Sequence, residues 1–226
     1  MLKDMMETLK HRGPDGEGHY IDNSIGLGHR RLSIIDLSEA GKQPMCNEEE
    51  NIWITYNGEV YNYVELREEL IKSGHTFKSE TDTEVIIHAY EQYGTDCLKM
   101  FNGMFAFVLY DKKKGILFGA RDRYGIKPFY YYLDSNKFVF ASEIKAILKD
   151  TKIERSQNDQ MIFDYLVYNR YDHSEETFFK NIRRLPPSHF FKIENNELKI
   201  EKWWTTSIKI GNSKDPEKNI AQFKEL

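Results

Sequence analysis

Cysteine is scarce in this 226-residue chain: Cys46 and Cys97 are the only two. Two cysteines cannot build a disulfide framework, and alone they cannot make a four-ligand zinc site. A reducing compartment, the cytoplasm, is therefore the expected location. An excess of positive charge is also missing. Lys plus Arg number 32 and Asp plus Glu 36, for a net charge of −4, so nothing points to a nucleic-acid partner. No apolar run approaches the roughly 18 residues of a membrane span. Met1-Leu2-Lys3-Asp4-Met5-Met6-Glu7 holds no signal-peptide apolar stretch. No membrane partner is expected. The phosphate-loop pattern G-x-x-x-x-G-K-S/T does not occur, and no two of the seven histidines stand at i, i+4 on one helix. From this pattern no metal is expected. Internal repeats and low-complexity tracts are absent too. What remains is the composition of a folded domain, 40% hydrophobic and 14% aromatic, with enough chain for a sizeable core.

Periodicity gives a coarse plan. Leu2, Met5, Met6 and Leu9 have helical spacing, ended by the turn-rich His11–Gly18 stretch. Ile25 to Asp36 reads as two short extended segments, residues 38–51 as loop, and Asn51 to Tyr56 as a strand that Asn57-Gly58 breaks. Helices follow over Tyr63–Ser73 and Thr83–Tyr93, the second capped by Thr81 or Asp82. From Met104 the pattern turns to strands. Met104–Tyr110 is apolar on both faces, and hairpins follow over 104–120, 127–141 and 188–203. A short helix from Ser142 with that serine as cap, and another over 159–169, complete the plan. Short hairpins with helices in blocks spell an α+β fold with antiparallel sheets and helices outside.

Four stretches could carry chemistry. Arg30-Arg31 offers the planar fork that suits a carboxylate, or is simply a solvated pair. Asn57-Gly58-Glu59 offers an amide and a glycine N–H, the donors of an oxyanion hole. Asn-Gly is also the commonest hairpin dipeptide, but a helix follows here rather than a paired strand. Ser79-Glu80-Thr81-Asp82-Thr83-Glu84 suits a helix N-terminus and equally a substrate ammonium. In Gly119–Pro128 the charges of Arg121, Asp122 and Arg123 read as structural ion pairs.

In this order, these stretches resemble the N-terminal glutamine amidotransferase domain of glutamine-dependent asparagine synthetases. That domain is a class II amidotransferase and an N-terminal nucleophile hydrolase. The matching residues are His11-Arg12-Gly13-Pro14-Asp15, Arg31-Leu32-Ser33-Ile34-Ile35-Asp36, Tyr56-Asn57-Gly58-Glu59-Val60-Tyr61-Asn62 and Glu80-Thr81-Asp82-Thr83-Glu84-Val85. Further on come Asn102-Gly103-Met104-Phe105-Ala106-Phe107, Arg121 to Pro128 and Ala141-Ser142-Glu143. The resemblance implies a four-layer αββα sandwich of two mainly antiparallel sheets. It implies L-glutamine as ligand. Arg31 would hold the α-carboxylate, backbone of Leu32, Ser33, Ile34 and Ile35 would wall the pocket, and Glu59 and Asp82 would take the α-ammonium. The Asn57 side chain and Gly58 N–H would form the oxyanion hole.

The family's nucleophile is a cysteine at the mature N-terminus, opening a strand ahead of the first helix. Here the text opens in a helix, so that first strand and its cysteine are expected to be missing and the chain as given to be inactive. The expected divisions are residues 1–205 as the amidotransferase domain and 206–216 as a linker. Residues 217–226 would begin a C-terminal ATP-dependent synthetase domain. ATP and Mg are expected there and no cofactor in this chain. That synthetase domain is the expected partner, and a homodimer stays open. Two other readings stay open as well: a non-catalytic glutamine-binding or docking module, and an amidotransferase serving a different carboxylate acceptor.

Overall fold

A computed structural model describes residues 1–207 and 215–225. Most of the expected linker, residues 208–214, and Leu226 lie outside the described residues. The helices are α1 (Leu2–Glu7), α2 (Tyr63–Lys72), α3 (Asp82–Tyr93), α4 (Ile144–Ile147), α5 (Asp159–Tyr168) and α6 (Pro216–Lys224). The first strands are β1 (Gly16–Asp22), β2 (Ile25–Arg31), β3 (Met45–Cys46), β4 (Ile52–Val60), β5 (Gly103–Asp111) and β6 (Ile116–Arg121). They are followed by β7 (Tyr130–Leu133), β8 (Phe138–Ala141), β9 (Ile182–Arg184), β10 (His189–Glu194) and β11 (Glu197–Lys202).

Alternation along β5 sets the layering. Phe105, Phe107 and Leu109 enter one buried cluster, while Ala106 and Val108 enter another on the opposite face. A strand buried on both sides belongs in the middle of a stack. Phe118 and Leu117 repeat the division on β6. The central sheet has the order β11-β10-β6-β5-β4-β3, with every pairing antiparallel. One face packs on Leu66 and Leu70 of α2 and on Val85, Ile86 and Ala89 of α3. The other face meets Leu27 of β2, Tyr131 of β7, and Phe129 and Leu185 beside them. Outside these, Met5 of α1 and Ala146 and Ile147 of α4 cover Val139, Ala141 and Ile182. The layers are helix, sheet, sheet, helix, as the resemblance implies. Each large aliphatic or aromatic side chain so buried contributes about 1.5–3 kcal/mol.

The second sheet layer is in two pieces. One is the β1-β2 hairpin and the other is β8-β7-β9. Among the described residues, β2 pairs only with β1 and β8 only with β7, so each keeps a free edge.

Several local expectations change. Asn57-Gly58 does not break its strand: β4 runs to Val60, because β5 pairs with it to the end, Asn57 opposite Ala106 and Gly58 opposite Phe105. The last three residues of the turn-rich stretch, from Gly16 to Gly18, open the strand Gly16–Asp22, which is paired along its whole length with β2. Within the expected loop, Met45-Cys46 pairs with β4. Ser142 does not cap α4; Glu143 holds that place and makes no side-chain cap bond. Among the described residues, Arg121, Asp122 and Arg123 at the end of β6 make no ion pair. Arg121 donates to the carbonyls of Lys127 and Leu185 at 2.7 Å each and of Gly125 at 2.6 Å. Asp122 is fully buried and accepts from four backbone N–H groups, those of Phe105 (3.2 Å), Tyr124 (3.1 Å), Ile126 (2.9 Å) and Lys127 (3.0 Å). A loop forced over the core leaves peptide groups that only such side chains can satisfy.

Asp122→Ala strands those four donors in the interior. The expected loss is at least about 3 kcal/mol of unfolding free energy, read by chemical denaturation. A loss under about 1 kcal/mol would show that the carboxylate does not organise the turn.

Candidate active site

The site begins where β2 ends. Arg31 donates to the Ser38 carbonyl at 2.8 Å and also to the Asp36 carbonyl, so residues 32–38 curl around its guanidinium. Gly41 closes over the same group. A Cβ there would lie 2.2 Å from Arg31 Nη2, so a larger residue would displace the guanidinium. Asp15 fixes the start of the curl by accepting from Ser33 N–H at 2.9 Å. The neighbouring Arg30 pairs with Glu17. His29 is half-buried, and desolvation of its ring, aided by Arg31, holds its imidazole down at about 4, neutral at physiological pH.

The opposite wall is β4. Gly58 faces the backbone of β5 so closely that a Cβ would sit 2.3 Å from the Met104 carbonyl oxygen. Next to it, the Asn57 side-chain Nδ2 is buried with no acceptor among the described residues. An unmet amide donor in a buried place costs about 1–3 kcal/mol, which marks it as a group kept for something other than stability.

The third wall is the start of α3. Thr81 caps the helix by accepting from Glu84 N–H at 3.3 Å. That cap sets Asp82, whose Oδ2 accepts from Tyr56 Oη at 2.6 Å and from Val60 N–H at 2.9 Å. Burial raises the Asp82 carboxyl above the ordinary range, with the Glu59 charge pushing the same way; its two donors oppose the shift only in part. Burial and Asp82 together raise the Tyr56 phenol well above its usual value.

A cavity of about 500 Å³ lies between these walls. Arg31, Leu32, Ile34 and Ile35 line it, and so do Asn57, Gly58, Glu59 and Asp82. Ser33, expected in the same wall, is not among the lining residues. The cation and the two carboxylates thus meet in one space, with neutral donors on β4. A zwitterion has that charge pattern. Neither Cys46 nor Cys97 lines the cavity, and burial raises both thiols, which makes them poor nucleophiles. Sequence reading missed Gln43. It accepts from Tyr56 N–H at 2.7 Å and donates to Thr83 Oγ1 at 3.2 Å, tying β4 to α3 beneath the cavity. No local pattern marks a glutamine in a loop, so only the fold reveals it.

Comparison with known proteins agrees with this geometry. Residues 1–204 match the model of the glutamine amidotransferase domain family. The chain belongs to that family. A Methanocaldococcus jannaschii protein named as a glutamine-hydrolysing asparagine synthetase is 49% identical over 175 residues, covering 70% of this chain and 33% of its own length. Asparagine synthetase [glutamine-hydrolyzing] 1 of Bacillus subtilis is 40% identical over 197 residues, covering 85% of this chain and 30% of the relative. The chain therefore spans about a third of the curated relatives it matches. Among solved structures, glutamine phosphoribosylpyrophosphate amidotransferase from B. subtilis superposes with a TM-score of 0.57 at 20% identity, covering 80% of this chain and 35% of that one. That likeness is one of fold.

In the amidotransferase domain the raised Asp82 carboxyl makes a signed prediction. A folded carboxyl that titrates above its unfolded value, about 3.9, binds more protons than the unfolded one across that window. The native protein therefore loses stability as pH rises through the window. Asp82→Asn keeps an acceptor oxygen and has no charge to bury. Its stability relative to the native protein should rise with pH from about 4 and then level off, as measured by denaturation at a series of pH values. A relative stability that falls with rising pH would contradict the assignment.

Proposed function

We propose that this domain binds L-glutamine and releases its amide nitrogen as ammonia, within a glutamine-hydrolysing asparagine synthetase. The supporting observation is the convergence of Arg31, Glu59 and Asp82 on one cavity beside the unpartnered Asn57 amide. Arg31 takes the α-carboxylate and Glu59 and Asp82 take the α-ammonium, which fixes the side-chain amide near β4. Asn57 Nδ2 and Gly58 N–H then hold the oxygen as its charge grows in the tetrahedral intermediate. Arg31 already donates to two carbonyls, so binding the carboxylate replaces or shares bonds that exist.

The nucleophile of this reading is a thiolate at a chain terminus, with its own α-amine as base. It attacks the amide carbon, ammonia leaves, and water hydrolyses the thioester to glutamate. No cysteine among residues 1–226 lines the cavity, so none of them fills this role. The free edges of β2 and β8 both border it, through Gly26 and Gly28 on one side and Phe138 and Phe140 on the other. One extended segment seated there would satisfy both edges and join the two pieces into a continuous sheet. Its first residue would lie beside Asn57. The ammonia would go to the synthetase part of the protein, which would activate aspartate with ATP and Mg; no residue of this cavity is assigned to that step. A binding-only role is the second reading: the three charges on the cavity would hold the amino acid whether or not its amide is cleaved.

Ammonia release from L-glutamine separates these readings. The 226-residue chain is expected to release none. A polypeptide extended at its N-terminus by a strand beginning with cysteine is expected to be active, and Asn57→Ala in it to lower kcat by about 10²–10³-fold. Hydrolysis by the 226-residue chain, or an extended Asn57→Ala enzyme with unchanged kcat, would contradict the assignment. Glutamine binding without ammonia release in the extended protein would establish the second reading.

A further inference from the structure

Outside the glutamine cavity, on α3, one buried imidazole nitrogen makes no hydrogen bond among the described residues. His88 is 1% exposed, and its Nδ1 bonds Glu91 Oε2 at 2.7 Å. Its Nε2 has no hydrogen-bond partner among the described residues. Two carboxylate oxygens face that nitrogen, Glu48 Oε1 at 3.6 Å and Glu84 Oε1 at 3.8 Å. Those separations are too long for hydrogen bonds. They are close to the spacing of two ligands on one tetrahedral ion, about 3.3–3.6 Å for bonds of about 2.0–2.2 Å. We propose that Glu48, Glu84 and His88 form a binding site for a divalent transition-metal cation of the zinc type, clamping the turn between β3 and β4 onto α3.

The surroundings are those of a prepared site. Glu84 and His88 stand one turn apart on α3, so their side chains share a face. Glu84 is held by Lys78 N–H at 2.8 Å, Ser79 N–H at 2.7 Å and Ser79 Oγ at 2.6 Å. Glu91 takes the Nδ1 proton and so leaves Nε2 as the free ligand atom, the carboxylate–histidine pair that commonly stands behind a metal. Glu91 is itself fixed by Asn47 Nδ2 at 2.7 Å, and Asn47 builds the turn that carries Glu48. Glu48 is 35% exposed and gives the ion an entry. His75, 3.6 Å from Glu91 Oε2, is the other imidazole in the cluster. None of Glu48, Glu84, His88 or Glu91 lines the glutamine cavity, yet Glu84 lies in the same helical turn as Asp82. The histidine-pair pattern misses such a site, because two of its ligands are carboxylates and one comes from a distant turn.

The test is calorimetric titration of ZnCl₂ into the chelator-stripped chain, with Co²⁺ as a spectroscopic probe. One saturable zinc per chain, a higher Tm with zinc, and visible d–d absorption of four-coordinate Co²⁺ are expected. His88 is in the core, so Glu48→Gln at the rim is the deciding variant. It should weaken zinc binding by about tenfold or more and cancel the Tm gain, while Cys46→Ser leaves both intact. No saturable binding, wild-type affinity in Glu48→Gln, or binding lost in Cys46→Ser would overturn the proposal.

Discussion

Oδ2 of Asp82 accepts from the Tyr56 hydroxyl and from Val60 N–H, and those two bonds hold the site in register. They join the first turn of α3 to the end of β4, where Asn57, Gly58 and Glu59 lie. Without that tie the helix could slide along the sheet face, since apolar packing has no direction. The carboxylate is costly where it stands, because burial raises its proton affinity. Its position is specified by hydrogen bonds rather than by burial energy, and the surrounding residues serve that specification. Gln43 bonds both β4 and α3, and Thr81 caps the helix so that Asp82 is its first residue.

The layered fold supplies the frame. β5 is buried on both faces and carries β4 beside it for its whole length, so the Asn57 wall is as rigid as the core. The second sheet layer behaves differently. Its two pieces meet across the cavity rather than across hydrogen bonds, and α1 packs along the outer side of both pieces. An unpaired strand edge is a demand for another strand. The cavity and the open sheet edges are thus one feature seen from two sides. A single inserted segment would change both the sheet and the chemistry.

The layers could be read from the text because they follow from periodicity. The alternation Phe105, Phe107, Leu109 against Ala106, Val108 is local information, and so is the helical spacing of α2. The Thr81 cap is local as well. What could not be read depends on partners far along the chain. Asn57-Gly58 looks like a strand end until β5 is known to pair beside it. Arg121 and Arg123 look like ion-pair residues until the carbonyls around them are counted. Gln43 and the orphaned nitrogen of His88 carry no local signal at all. The site residues were legible as a group only through ordered motifs, since Arg31, Asn57 and Asp82 are separated by whole elements. The fold brings them to one cavity and leaves Ser33 outside it.

Recognition of a free amino-acid zwitterion is the centre of this account. The direct measurement is saturation-transfer NMR on the 226-residue chain with L-glutamine and with 4-carbamoylbutanoate, which lacks the α-amine. Glu59 and Asp82 have no partner in the second compound, so clear transfer to L-glutamine and markedly less to the analogue is predicted. Equal transfer to both, or none to L-glutamine, would contradict it.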